Sequence, residues 1–286
     1  MTVTTPNPFP NRGRDFLLLV QGASQFSTLK EAIGVDEERL IELLIALHEG
    51  LPRQGPGDSA STRRALALCA ALPDAPEILD IGCGTGAQTL TLAAATTGRI
   101  TALDRSLGFL RSLRRATTDR GWTSRVRVCQ GDMQVLPFRE ARFDLIWSEG
   151  AVYIMGFDAG LAQWRSWVKP GGYLAVSELS WFRSDRPAEL KAFLDVEYPA
   201  MRDIEANLTA AGQQGWQVIG HFPLPWSAWE EYYDPLRERL PAFRAAHAGD
   251  ADARAVADLT ESEMALMARY AEDCGYAFYV LRRLPR

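Results

Sequence analysis

The chain has little lysine, histidine or cysteine and no long apolar run. Of its 31 cationic residues only Lys30, Lys169 and Lys191 are lysines, which points to no function. His48, His221 and His247 are dispersed, with no H-E-x-x-H pair, so each reads as a surface or core residue and no metal site is expected. Cys69, Cys83, Cys129 and Cys274 contain no C-x-x-C pair, which argues against a disulfide framework or a zinc ribbon and fits a reducing cytosol. The N-terminal run Phe16 to Val20 is too short for the hydrophobic region of a signal peptide or for a membrane span, so a soluble, cytoplasmic protein with no membrane partner is expected. Positive charge is also short. A net charge of -5 and a pI near 5.4 give no global attraction to phosphate backbones, which disfavours nucleic acid and favours a small-molecule partner.

What is present is ordinary globular material, 47% hydrophobic and 23% charged over 286 residues, enough to bury a substantial core. The most informative stretch is Glu77-Ile78-Leu79-Asp80-Ile81-Gly82-Cys83-Gly84-Thr85-Gly86, an apolar strand running into three glycines that let backbone approach a nucleotide-like ligand closely. Gly82, Gly84 and Ala87 also satisfy the G-x-G-x-x-G/A dinucleotide fingerprint, so the loop alone is ambiguous. Ile100 to Asp104 is a second apolar run, and its terminal Asp104 stands at the spacing at which a carboxylate meets ribose hydroxyls. Val126 to Gln130 leads into Gly131-Asp132-Met133, where Asp132 and the following N–H could read an adenine edge. Phe143 to Gly150 and Lys169 to Glu178 complete the series.

This ordered set, over roughly residues 75 to 180, resembles the class I S-adenosylmethionine-dependent methyltransferases. Within them it is most similar to bacterial small-molecule enzymes broadly like those of ubiquinone and menaquinone biosynthesis, including a group that shares Arg53 to Gly57 and Trp147 to Ala151. Alternating apolar runs and helical stretches already predict a parallel sheet covered on both faces, with strands near 77–81, 100–103, 126–130, 143–147, 172–177, 216–222 and 276–284. The resemblance implies an α/β, Rossmann-like seven-stranded methyltransferase sheet in the order 3-2-1-4-5-7-6, its final strand antiparallel, with the ligand at the carboxyl ends of the first strands.

The cofactor so implied carries an amino acid end, a sulfonium and an adenosine. Gly82, Cys83, Gly84 and Gly86 would turn the chain under its methionine portion, with Cys83 a small spacer and no nucleophile, while Asp80 accepts from its amine. Asp104 would accept from the ribose, Asp132 from the adenine amino group, and the Met133 N–H would donate to the ring. Arg105 could instead read a 2′-phosphate, as in an NAD(P)-dependent oxidoreductase, or be a solvated arginine. Arg53 and Gln54 either reach over the cofactor carboxylate, as the resemblance suggests, or simply join two helices.

Methyl transfer is an in-line displacement in which the protein holds a nucleophile opposite sulfur, so a base is optional. Glu149 is the first candidate base and equally a capping or cofactor-positioning acid. Tyr153 and Glu178 are the next candidates, and Trp181 and Phe182 continue that wall or serve the core. Ser148-Glu149-Gly150-Ala151 replaces the Asn/Asp-Pro-Pro-Tyr motif of enzymes that methylate DNA adenine or protein glutamine. A protein that binds the cofactor without transferring its methyl stays open as a third reading.

The remaining segments frame this core. Residues 1–14 are rich in proline and read as a loose arm; Asp36 to Gly50 and about Asp58 to Leu72 read as helices joined by the Arg53 to Gly57 loop. The expected division is 1–74 as arm and helical cap and 75–286 as the cofactor domain, with helical insertions at about 187–211 and 227–274. Three uses are open to those insertions: covering substrate, padding the sheet, or building a homodimer interface. Trp226, Trp229 and Tyr233 recur within the second at helical spacing, as core or as an aromatic enclosure for a cationic amine.

Overall fold

Parallel strands buried on both faces need a crossover between each pair, and the chain supplies helices at those places. The computed structural model describes residues 36–284. Strands β1 (Glu77–Ile81), β2 (Arg99–Asp104), β3 (Val126–Gln130), β4 (Phe143–Ser148), β5 (Val168–Trp181), β6 (Arg202–Asp203), β7 (Trp216–Pro223) and β8 (Cys274–Arg283) make one sheet. Its order is β3-β2-β1-β4-β5-β8-β7, with β6 joined to β5. The short β6 aside, this is the expected order, and β8 runs antiparallel to both β5 and β7. The arm at residues 1–14 lies outside the described residues.

Helices α1 (Glu37–His48) and α2 (Ser59–Leu68) precede the sheet; α3 (Ala87–Ala95) and α4 (Leu107–Asp119) make its first crossovers. They are followed by α5 (Phe157–Trp164), α6 (Ala188–Glu197), α7 (Ile204–Gln213), α8 (Trp226–Ala246) and α9 (Ala251–Arg269). Asp58 caps α2 by accepting from the Ser61 N–H at 2.6 Å, which explains why the helix begins directly after the glycine-proline loop.

Several sequence expectations change: the second helix ends at Leu68 rather than Leu72, and the 227–274 stretch divides into α8 and α9 before β8 begins at Cys274. The fifth strand is longer than 172–177 because it begins before the Pro170-Gly171-Gly172 segment: Val168 pairs with Phe143, the register then shifts, and Tyr173 pairs with Leu145. A β-bulge accommodates proline and glycine inside a strand. The 187–211 stretch is also not continuous helix. It divides into α6, β6 and α7, with Asp203 capping α7 through the Ala206 N–H at 2.8 Å.

The apolar face of α1 finds its partners at the far end of the chain. Leu40, Leu43 and Leu47 are buried with Leu236, Leu240 and Phe243 of α8, Val256 and Met264 of α9, and Leu190 and Leu194 of α6. The sheet has its own clusters on either face, centred on Ile146, Trp164 and Tyr279 and on Ile78, Trp147 and Phe278. The helical segments therefore pack around a second core over the carboxyl ends of the strands.

At the opposite edge, Asp144 holds three strands together. Its carboxylate accepts from the Glu77 N–H at 2.9 Å and from Lys169 Nζ at 2.8 and 2.9 Å. Asp144→Ala is expected to cost about 2 kcal/mol, because it orphans a backbone donor as well as a cation, whereas Lys169→Ala on the half-exposed partner should cost less than about 1 kcal/mol. Urea unfolding of the two variants measures the difference.

Candidate functional site

A strand that ends in a glycine loop places its last side chains beside the next element's backbone, and here that brings the acids together. Gly82, Gly84 and Gly86 have φ of 70°, 54° and 94°, the left-handed region that only glycine enters freely. At Gly82 there is also no room: a Cβ would stand 2.5 Å from that of Ala151. The loop is tied to β2 by the Gly82 and Cys83 N–H groups, which donate to Leu103 O at 2.9 and 3.0 Å.

Asp80 is fully buried near the end of β1, where Thr89 Oγ1 and Gln88 Nε2 of α3 donate to its two oxygens. These two donors were not foreseen. The signal was available, as polar side chains in the first turns of the otherwise apolar α3. Asp104 ends β2 and accepts from the Gly84 and Ser106 N–H groups, both at 2.8 Å. Burial above all raises both carboxyls, Asp80 to about 7 with a contribution from the nearby charge of Glu149, and Asp104 to about 6. In the folded chain these acids hold protons more tightly than at their ordinary value of 3.8, so they withdraw stability as pH rises from about 4 to about 7.

Asp132 accepts from the Gln134 N–H at 2.9 Å and faces Arg105 at 3.7 Å. Arg105 is therefore paired with an acid of the same cleft. Met133 is buried beside Gly82, and its carbonyl accepts from Trp164 Nε1.

Glu149 follows β4 and is held by three elements. Arg53 Nη2 lies 2.9 Å from Oε2, while Thr62 Oγ1 of α2 at 2.7 Å and Trp147 Nε1 at 2.9 Å both donate to Oε1. Arg53 and Glu149 side chains are only 8% and 3% exposed, so this is a buried ion pair. The loop carrying Arg53 is fastened further by Thr85 Oγ1 donating to Pro52 O at 2.7 Å and by the Gly57 N–H donating to Ala228 O at 2.9 Å. Nothing in linear order relates Thr62 of α2 to the end of β4, whereas Trp147 stands on β4 two residues before Glu149.

Several of these residues line adjoining clefts, whereas Asp80 is fully buried and borders none of them, reaching the first only through Gln88. One of about 480 Å³ is bounded by Arg53, the Gly82 to Thr85 loop and Glu149 to Ala151; a second of about 350 Å³ is bounded by Asp104, Arg105 and Gly131 to Gln134. They meet at Gly82. A third, of about 890 Å³, meets the first at Gln54 to Pro56 and Gly150 and opens among α6, α8 and α9. Tyr153 lines this third cleft, and burial raises its phenol well above the ordinary value, so it stays protonated. Glu178 does not meet Tyr153 across it: the wall there is Tyr198, whose hydroxyl donates to Glu178 Oε1 from behind. Glu178 Oε2 is buried without a hydrogen-bond partner, and burial raises this carboxyl to about 8. Trp181 is buried, Trp226 stacks on Trp229 and Tyr233 packs tilted against both, with Trp229 alone of these four facing the cleft. Of the histidines, His48 is buried between Leu44 O and Tyr232 Oη, and desolvation lowers its pKa. Among the described residues no group of three or more His, Cys, Asp or Glu is arranged to hold a metal, and no helix is long and apolar enough to cross a membrane.

Comparison with known proteins speaks to the domain and the fold. Residues 78–172 match the family model for a methyltransferase domain. The biotin biosynthesis bifunctional protein BioCD of Bordetella avium is 35% identical over 48% of this chain and 30% of its own length. Demethylmenaquinone methyltransferase of Mycolicibacterium gilvum is 33% identical over 43% of this chain and 51% of its own. The chain thus spans about half or less of the curated relatives it matches. A solved methyltransferase from Thiobacillus denitrificans, in complex with S-adenosyl-L-homocysteine, superposes with a TM-score of 0.74 at 20% identity, covering 85% of this chain and 98% of that one. At such identity the likeness shows the fold.

The ion pair gives a direct test of how the site is assembled. Arg53→Ala leaves the Glu149 carboxylate buried with two neutral donors, and a loss of about 3 kcal/mol is expected in urea unfolding. Adding Glu149→Gln to that variant should recover more than half of the loss, because the uncompensated charge is then gone.

Proposed function

We propose that this chain, whose residues 78–172 match the family model for a methyltransferase domain, is a class I S-adenosylmethionine-dependent methyltransferase that transfers a methyl group from that cofactor to a small-molecule acceptor. The observation that carries the reading is the pair of clefts meeting at Gly82, with acids on the walls and their cations already engaged: Arg53 by Glu149 and Arg105 by Asp132. Asp80 and Asp104 are raised because burial leaves them short of opposing charge. A ligand that brings an ammonium and a sulfonium supplies it. A pyrophosphate, as in NAD(P), would add negative charge to the same place, so the oxidoreductase reading is the weaker.

The residues present fit this cofactor. The open backbone at Gly84 would lie under its methionine part, Asp80 would take the amine directly or through water, Asp104 the ribose, and Asp132 with the Met133 N–H the adenine. When bound, the cofactor supplies an electrophilic methyl on a positive sulfur. Glu149, fixed by three donors, holds negative charge beside the methionine end and is better suited to positioning than to taking a proton. Tyr153 offers a phenol to the acceptor, and the aromatic wall excludes water from the transfer.

Two outcomes test this reading. Calorimetric titration should show saturable binding of S-adenosylmethionine and S-adenosylhomocysteine and none of NAD(H), and Asp104→Asn, which keeps a side-chain acceptor for the Gly84 or Ser106 N–H, should weaken the first two about tenfold or more while the protein stays folded by its thermal transition. Binding of a cation also favours the ionised acids. Affinity for S-adenosylmethionine should therefore rise about tenfold from pH 5.5 to 7.5, with proton release near pH 6.5 seen by comparing buffers of different ionisation enthalpy. Binding of NAD(H) alone would overturn the assignment.

A further inference from the structure

The third cleft has a chemistry that its position alone does not dictate. Its wall is built from Tyr153 after β4, Tyr198 after α6, Trp229 and Tyr232 on α8 and Tyr276 on β8. These rings surround a common space: Tyr153 and Tyr198 meet edge to face at 6.3 Å between centroids, and Trp229 lies 5.7 Å from Tyr276. Burial holds the phenols of Tyr153, Tyr232 and Tyr276 above their ordinary range, so the rings are neutral and present electron-rich faces. Tyr232 is backed by His48, whose lowered pKa keeps it uncharged.

The charged residues on this wall are all acids. Glu197 and Glu263 line it, and among the described residues that bound the cleft there is no arginine, lysine or histidine. Glu263 of α9 accepts from Tyr233 Oη at 2.9 Å through Oε1, which leaves Oε2 for a ligand. A carboxylate or phosphate acceptor would meet acids and ring faces with no counter-charge, an arrangement that costs desolvation without return. An organic cation would meet the opposite: cation–π faces and a carboxylate in a partly desolvated space.

We infer that the methyl acceptor is an organic amine, cationic at neutral pH and carrying an apolar body, seated among Tyr153, Tyr198, Trp229, Tyr232 and Tyr276 with Glu263 as its counter-ion. This deepens the proposed methyl transfer and rests on it. The ammonium gives one proton to the Glu263 carboxylate, and the freed nitrogen lone pair forms the new N–C bond. The electron pair of the broken C–S bond stays on sulfur, so S-adenosylhomocysteine and the N-methylated ammonium result. The Gln54 to Pro56 loop and Gly150, shared by the acceptor and cofactor clefts, are where the two reactants would meet.

The test separates acceptor class from methyl transfer by measuring binding. Protein saturated with S-adenosylhomocysteine is titrated calorimetrically with three probes of similar shape: phenethyltrimethylammonium, which cannot accept a methyl, 2-phenylethanol, and 3-phenylpropionate. The cation should bind at least about tenfold tighter than the alcohol, with no detectable binding of the carboxylate. Glu263→Gln should weaken the cation about tenfold while changing the alcohol less than about twofold; Trp229→Leu, checked for an unchanged affinity for S-adenosylhomocysteine, should weaken the cation likewise. Equal binding of all three, preference for the carboxylate or the alcohol, or no binding by any overturns the inference. Failure of S-adenosylhomocysteine itself to bind would instead fall on the proposed function, and the cation titration is then read on the protein alone.

Discussion

The buried pair of Arg53 and Glu149 is the interaction on which the site depends. Glu149 leaves the end of β4 and could not remain buried and charged by itself, and Arg53 sits in a loop with no regular structure to fix it. Each supplies what the other lacks. Thr62 and Trp147 fill the second carboxylate oxygen, so one side chain joins the N-terminal loop, α2 and the sheet. With the loop anchored there, its backbone can form both the roof of the glycine cleft and the sill of the aromatic one. A buried ion pair is seldom favourable against an apolar replacement, so its use here is better explained by placement than by stability.

Around that pair the site holds more negative charge than positive. Asp80 and Asp104 are kept because strand ends and loop N–H groups give them donors, yet those donors are neutral and do not offset burial. The raised carboxyls are the result. A fold that stores unmet charge in this way is prepared for a ligand of opposite sign, and it gives up some stability near neutral pH to do so. The same logic recurs in the aromatic cleft with Glu263, whose carboxyl is also raised by burial.

The parts of the molecule that were legible in its sequence are those set by local pattern. β1 and β3 occupy the expected residues because short apolar runs bounded by turn residues have few alternatives, and the glycine loop declares itself through spacing. The start of β5 was hidden because Pro170-Gly171-Gly172 has the composition of a turn, and only the β4 register shows that it lies within a strand. Asp80, Asp104 and Asp132 were found as ends of strands. The Thr89 donor to Asp80 had a local signal in the polar first turns of α3, but Thr62 reaches Glu149 through a contact that no local pattern encodes. Arg105 could be read as a phosphate ligand until Asp132 was seen opposite it.

The aromatic cleft was the least legible part. The helical repeat of Trp226, Trp229 and Tyr233 suggested an enclosure, but two of these rings belong to packing, and the cage takes its other members from Tyr232 of the same helix, from β8, from the residue after α6 and from the turn after β4. Residues separated by more than a hundred positions converge because α1, α6, α8 and α9 share a core of their own over the strand ends. That second core explains the long insertions. A minimal sheet would leave the carboxyl ends of its strands open to water, where neither a cation–π contact nor a lone carboxylate has much strength. By enclosing that edge with helices, the chain forms a space lined by five tyrosine and tryptophan rings and two acids, the setting that the proposed cationic acceptor requires.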